Sequence, residues 1–209
     1  MLTAAHCLFN RYRNKWIAAS DIHFLAGYQR GEYIGQSSAS RYITAEFHDV
    51  TKNSFRYRPR EDWAVIELRD PIGAKAGYLD WALLDPAGLE DALQSGARLF
   101  LAGYPALRQH VLSVDMACED SRLDEGDGLF LLRCASMRGD SGGPVLLLRN
   151  GRATLVSILS GDRLGAEGTV NVAVPVASFY REIIDALGGD RRLMDLHGLS
   201  GLAGKPPGG

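Results

Sequence analysis

Short apolar runs separated by polar turns fill the chain from Trp16 to Leu68 and again from Arg98 to Pro175. That rhythm predicts an antiparallel β protein rather than a helical one. In the first stretch the pattern predicts strands over Trp16–Ala19, Ile22–Ala26, Ser40–Phe47 and Trp63–Leu68, with Gly27, Gly31 and Gly35 as punctuation. In the second it predicts six, over Arg98–Tyr104, His110–Cys118, Leu129–Cys134, Pro144–Leu148, Thr154–Ser160 and Thr169–Pro175. Such a set suits a small antiparallel barrel. Between Asp70 and Ser95 the alternation lapses into Pro71-Ile72-Gly73, Trp81 to Pro86 and a short polar run, which reads as the crossing between two barrels. From Val176 to Leu187 the period changes. Val176, Phe179, Tyr180, Ile183, Ile184 and Leu187 fall at helical spacing, with Ser178 as a cap and Gly188 as a stop. Beyond it the chain is rich in glycine and poor in large apolar residues, so disorder is expected from Gly188 to Gly209.

Composition narrows the picture by exclusion. With 209 residues and 46% hydrophobic content, the chain can bury a substantial core. A formal charge of -2 gives no reason to expect nucleic acid or an anionic membrane as partner. No apolar run reaches the roughly 18 residues of a membrane span, and the start lacks the pattern of a secretory signal. The three cysteines are an odd number. Cys118 and Cys134 end two neighbouring predicted strands joined by the acidic turn Glu119 to Gly128. Antiparallel pairing brings those ends together, which predicts a disulfide stabilising by about 3 kcal/mol in the chain-entropy model.

Candidate chemistry centres on Met137-Arg138-Gly139-Asp140-Ser141-Gly142-Gly143-Pro144-Val145. Its glycines allow a tight turn that leaves one serine hydroxyl uncrowded. The same turn can aim the Gly139 and Ser141 amides into one pocket, as a developing oxyanion requires. A serine nucleophile needs a base, and the base needs an acid to fix its tautomer. Leu2-Thr3-Ala4-Ala5-His6-Cys7 supplies an imidazole, and Asp62-Trp63-Ala64-Val65-Ile66 supplies a carboxylate at the head of a strand. The small Ala64 amid bulky neighbours lets Asp62 sit buried beside that imidazole while staying ionised. His23, His48, His110 and His197 read as strand, loop, strand-start and tail residues, and Arg56, Arg58 and Arg60 as a solvated loop before Asp62.

These three motifs, in the order His, Asp, Ser, resemble the trypsin/chymotrypsin-like serine peptidases, in particular their bacterial branch with few cysteines. The resemblance covers almost the whole chain up to the helix near Asp185. It implies an all-β fold of two six-stranded antiparallel β-barrels, the first incomplete, with a C-terminal helix. The expected layout is an N-terminal half over residues 1–86, a C-terminal half over 87–187 and the disordered tail over 188–209. The resemblance also implies a serine endopeptidase with His6, Asp62 and Ser141 as triad and Gly139 and Ser141 as oxyanion donors. By the family's spacing the substrate pocket has Ala135 at its floor, followed by Ser136, and a wall from Leu159, Ser160 and Gly161. A trypsin would carry aspartate at the floor, and glutamate-specific relatives a histidine where Leu159 stands, so an apolar or small preference is expected.

In that family the cysteine after the histidine pairs with one in preceding strands. Cys7 has no such partner here, which implies that on the order of 30 residues precede Met1 in the full protein. The family also pairs a newly cut N-terminal amine with the aspartate beside the nucleophile, where Asp140 stands. No metal or cofactor is implied. The partners expected are a polypeptide substrate and a protein inhibitor, with no nucleic acid and no membrane, for a monomer in the periplasm or outside the cell. A second reading on the same scaffold is a catalytically silent homologue that binds proteins; such homologues usually lose a triad member, and this chain keeps all three.

Overall fold

The computed structural model describes residues 1–45, 58–116, 118–165 and 168–186. In chain order the strands are β1 (Leu2–Thr3), β2 (Phe9–Asn10), β3 (Lys15–Trp16), β4 (His23–Ala26), β5 (Gly35–Thr44), β6 (Ala64–Leu68) and β7 (Asp80–Trp81). They continue as β8 (Arg98–Gly103), β9 (Ser113–Asp115), β10 (Glu119–Leu123), β11 (Phe130–Arg133), β12 (Pro144–Arg149), β13 (Arg152–Gly165) and β14 (Gly168–Pro175). The helices are α1 (Gly73–Ala76), α2 (Pro86–Gln94) and α3 (Tyr180–Ala186). One curled sheet runs β1-β6-β5-β4; a second runs β10-β11-β14-β13-β12-β8-β9, with β7 added beside β13. Two such half-barrels with a helix near the end of the described chain form the all-β double barrel that the periodicity predicts.

The alternation that marks each strand also fills the cores. Leu99, Leu101, Phe130, Leu132, Val145, Leu147, Val156 and Ala173 close the interior of the second sheet. Trp63 and Val65 from the first sheet meet Phe100, Leu146, Ile158, Val174, Val176 and Phe179 in a cluster that joins the two halves. Trp63 lies 5.8 Å from Phe179, ring centroid to centroid. Burying aromatics of this size contributes several kcal/mol, so the residue next to Asp62 is anchored firmly.

Several expectations are corrected in detail. Trp16–Ala19 is a strand only at Trp16, because a 3-10 turn occupies Ala19–Asp21. Ordered pairing in His110–Cys118 is confined to Ser113–Asp115, after a 3-10 turn at Ala106–Arg108. The expected turn Glu119 to Gly128 begins as β10, which pairs with β11, so β7 and β10 bring the second sheet to eight strands. The polar run after Asp85 is the helix α2, with the Asp85 carboxylate accepting from the Gly88 amide at 2.7 Å and Pro86 in the first turn. The expected tail, the end of the closing helix at Leu187, His48 and His197 lie outside the described residues.

Candidate active site

The Asp62 side chain is fully buried, held between a 3-10 turn over Pro59–Glu61 and β6. Its neighbour Ala64 is 1% exposed, so bulk at that position would press into the same core. His6 sits in the 3-10 turn Ala5–Leu8 that follows β1, and the turn is pinned by Ala4 and Ala5, both fully buried. Because β1 pairs with β6 through Thr3 and Ala64, the two turns emerge at the same end of the sheet. The His6 amide donates to Asp62 Oδ1 at 2.9 Å, and His6 Nδ1 lies 2.7 Å from Asp62 Oδ2. A carboxylate can only accept, so Nδ1 carries a proton, and in the neutral ring Nε2 has its lone pair for another task.

Burial works against the charge on His6, but the hydrogen bond and charge of Asp62, with a smaller push from the neighbouring Cys7, carry its pKa up to about 10. For Asp62 burial again acts first and upward. The His6 imidazole, the Ser160 hydroxyl and the His6 amide outweigh it and hold the carboxyl below the usual range.

The nucleophile loop is shaped by close approach. Gly139 and Gly142 have φ of 104° and 79°, the left-handed region that side chains disfavour. A β-carbon on Gly142 would strike Thr3 Oγ1 and approach the Ala4 nitrogen to 2.8 Å. The loop of the second sheet therefore lies directly on the turn that presents His6. Asp140 is 5% exposed and its Oδ2 accepts from the Met137 amide at 2.8 Å. Its Oδ1 has no partner among the described residues and occupies the space a β-carbon on Gly103 would need. Within the loop the amides of Asp140, Gly142 and Gly143 all donate to carbonyls. Among the described residues those of Gly139 and Ser141 donate to none, which leaves two NH groups flanking the serine.

Ser160 connects the pieces. Its hydroxyl donates to Asp62 Oδ2 at 2.5 Å, while Ser141 Oγ lies 3.5 Å from its carbonyl oxygen. The Cys7 thiol, next to His6, lies 3.5 Å from the Ser141 carbonyl. Asp62 and Ser141, far apart in the chain, thus both meet one residue of β13, and His6 is held on the other side of Asp62. The sequence reading gave Ser160 only a place in the pocket wall. Its second neighbour, the carboxylate, was hidden because a bulge between Leu159 and Gly161 breaks the alternation that would tell which way Ser160 faces.

The remaining pocket residues divide by burial. Ala135 is exposed, and Ser136 and Gly161 are half-buried. Leu159 is corrected as a side chain of the wall: it is 2% exposed and packs in the core of the second sheet. It contributes backbone instead, accepting from Gly142 at 2.7 Å and donating to Gly143 at 2.9 Å. Two residues that sequence reasoning missed stand beside Ser136. Asn171, 5% exposed, donates through Nδ2 to Ser136 Oγ and to Asp162 Oδ1, each at 2.7 Å, and accepts from the Cys134 amide. Register could have suggested them, since Asp162 and Asn171 are direct partners across β13 and β14.

Cys118 and Cys134 form the predicted disulfide, and Cys7 is free and exposed. One group of acidic and sulfur side chains, Asp115 with Cys118 and Cys134, has the proximity of a metal site, but both sulfurs are consumed by the disulfide. His23 is exposed on β4, and His110 Nδ1 lies 2.6 Å from the Tyr28 hydroxyl at a contact between the two halves. Neither joins the group around Ser160. No helix among the described residues is long and apolar enough to cross a membrane.

A family model described as Trypsin matches residues 1–183. Among solved structures, a Glu endopeptidase in complex with MPD is 18% identical with a TM-score of 0.60, covering 90% of this chain and 80% of that one. A thermostable serine protease, AL20, from an extremophilic microorganism is 19% identical with a TM-score of 0.61, covering 86% and 80%. At such identity these likenesses establish the fold. No curated protein sequence matches the chain.

Proposed function

The chain belongs to the trypsin family of serine peptidases, and from that premise we propose that it is an endopeptidase acting through His6, Asp62 and Ser141. The observation that carries the reading is the position of Ser160, bonded to Asp62 through its hydroxyl and facing Ser141 Oγ with its carbonyl.

Ser141 Oγ attacks the scissile carbonyl while His6 Nε2 takes its proton. The negative charge that forms on the carbonyl oxygen is received by the Gly139 and Ser141 amides, which donate to nothing else among the described residues. Asp62 keeps the proton on His6 Nδ1 and stabilises the imidazolium, consistent with the raised pKa of the ring. His6 then returns its proton to the leaving amine, and water repeats the sequence on the acyl-enzyme. Each proton taken is given back, so no external acid or base is consumed. The Cys118–Cys134 disulfide favours an oxidising compartment, the periplasm or the medium, as the place of action.

Stopped-flow hydrolysis of a p-nitrophenyl ester tests the reading. It predicts a burst approaching one equivalent of nitrophenol, abolished in Ser141→Ala. A folded protein that gives no burst supports the silent homologue instead.

A further inference from the structure

We propose that Tyr104 is a positioning residue for the oxyanion donor Gly139, tying the backbone behind that amide to Tyr28 in the sheet that carries Asp62; the inference rests on the peptidase reading above. It acts through the peptide unit between Arg138 and Gly139, whose carbonyl accepts from the Ala106 amide at 2.8 Å. A trans peptide unit is planar, so its C=O and N–H point to opposite sides. Holding the Arg138 carbonyl on Ala106 therefore turns the Gly139 N–H away from Ala106 and fixes its direction. The two segments also touch: a β-carbon on Gly139 would lie 2.7 Å from the Ala106 nitrogen and 3.2 Å from the Tyr104 carbonyl oxygen.

Ala106 is held in turn by the segment Tyr104-Pro105-Ala106 that leaves β8. Pro105 is buried, and its ring fixes φ just before the 3-10 turn Ala106–Arg108, so the segment is stiff. Tyr104, half-buried, donates its hydroxyl to the Tyr28 carbonyl at 2.6 Å. Burial, together with the neighbouring Tyr28, raises the pKa of that hydroxyl, so it stays a donor at neutral pH. Tyr28 lies in the turn between β4 and β5, in the same sheet as β6, the strand at whose head Asp62 stands.

Further bonds keep Tyr28 in place. Its hydroxyl lies 2.6 Å from His110 Nδ1, the Arg30 amide donates to the His110 carbonyl at 2.7 Å, and the Leu112 amide donates to Gln29 Oε1 at 3.0 Å. The Tyr28 ring centroid is 6.1 Å from that of Tyr104 and 5.9 Å from that of His110. His110, which has no place in the triad, thus serves this contact. The consequence for chemistry follows from where the reacting groups sit. Base and acid stand on the first sheet, nucleophile and oxyanion donors on the second, and a misplacement of about 1 Å between them is costly. The apolar cluster around Trp63 and Phe179 joins the sheets without direction. The Tyr104 bond has a direction, and it ends one residue from the Ala106 turn that sets Gly139.

Tyr104→Phe tests this, because it deletes the hydroxyl and keeps the ring. On a peptide substrate kcat should fall about 3- to 10-fold with KM within about 2-fold of wild type. A peptidyl trifluoromethyl ketone, whose adduct carries an oxyanion, should lose affinity by the same factor. Tyr42→Phe is the control: it deletes a hydroxyl bond of the same kind, to the Ile17 carbonyl at 2.9 Å, within the first half, and should leave kcat and inhibitor affinity unchanged. Hydrogen exchange followed by NMR in a Ser141→Ala background reads the tie without turnover. Adding Tyr104→Phe should speed exchange of the Ala106 amide at least about 3-fold, while the Gly142 amide, bonded to the Leu159 carbonyl, keeps its rate. Unchanged Ala106 exchange, or kcat and inhibitor affinity equal to those of Tyr42→Phe, overturns the proposal. Absence of any cleavage or ester burst in wild type would sink the peptidase reading, and the exchange rates would still decide whether Tyr104 holds Ala106.

Discussion

Replacing Ser160 by alanine isolates the contact on which the site is assembled. The substitution removes one hydroxyl, at 2.5 Å from Asp62 Oδ2, between residues that are 6% and 0% exposed. A hydrogen bond to a buried charged group contributes about 1.5–3 kcal/mol, equivalent to roughly 10- to 150-fold in rate if expressed wholly in the transition state. Part of it is expressed earlier, because the hydroxyl helps to keep the Asp62 pKa low in the resting protein. The expected outcome is a fall in kcat/KM of about 10-fold or more, together with a loss of about 1 kcal/mol of stability, or roughly 2–4 °C in Tm. Peptide hydrolysis and scanning calorimetry measure the two parts. Ser157→Ala is the internal control on the same strand. Ser157 is fully buried and its hydroxyl has no partner among the described residues, so its removal should leave kcat/KM unchanged and keep or raise Tm. Activity and Tm of Ser160→Ala indistinguishable from those of Ser157→Ala would refute the reasoning.

Other outcomes follow from the same geometry. The base must be neutral to act, and the His6 pKa is raised from 6.5 to about 10, so the acid limb of kcat/KM should lie on the alkaline side of 6.5. Asp62→Asn should move that limb toward lower pH while lowering the plateau by about 10⁴; a pH–rate profile checks both, and a limb that stays put contradicts the assigned pairing. Gly142→Ala forces a left-handed residue and a collision with Thr3 and Ala4, so activity should fall steeply and Tm should drop, whereas Gly151→Ala, also at positive φ but in open space, should cost only the backbone strain of about 1–2 kcal/mol. Replacing both Cys118 and Cys134 by serine should lower stability by about 3 kcal/mol for a loop of this length, read as an earlier denaturation midpoint in urea.

The three motifs of the candidate site were legible in the sequence because each is local. A glycine-framed serine, a histidine among small residues and an aspartate at a strand head each keep their form whatever surrounds them. The strands of the second half were legible for a similar reason, since Phe130 to Leu132 and Val145 to Leu147 are continuous apolar runs. The helix α2 was missed although Asp85-Pro86 is a capping signal, because the polar and small residues after it carry little helical periodicity. β10 was missed because its charged residues have the composition of a turn and gain their order by pairing with β11. The placement of Ser160 beside Asp62 and of Asp162 beside Asn171 depends on the bulge in β13 and on register with β14, and neither is written in the local pattern.

The central claim is that an imidazole held by Asp62 activates the Ser141 hydroxyl. Treating the folded protein with a phosphonofluoridate and mapping the adduct by mass spectrometry tests it most directly. The account predicts a single adduct on Ser141, formed quickly in wild type and at least about 100-fold more slowly in His6→Ala, the share a positioned base contributes. Labelling of Ser141 at the same rate with and without the His6 imidazole would contradict it.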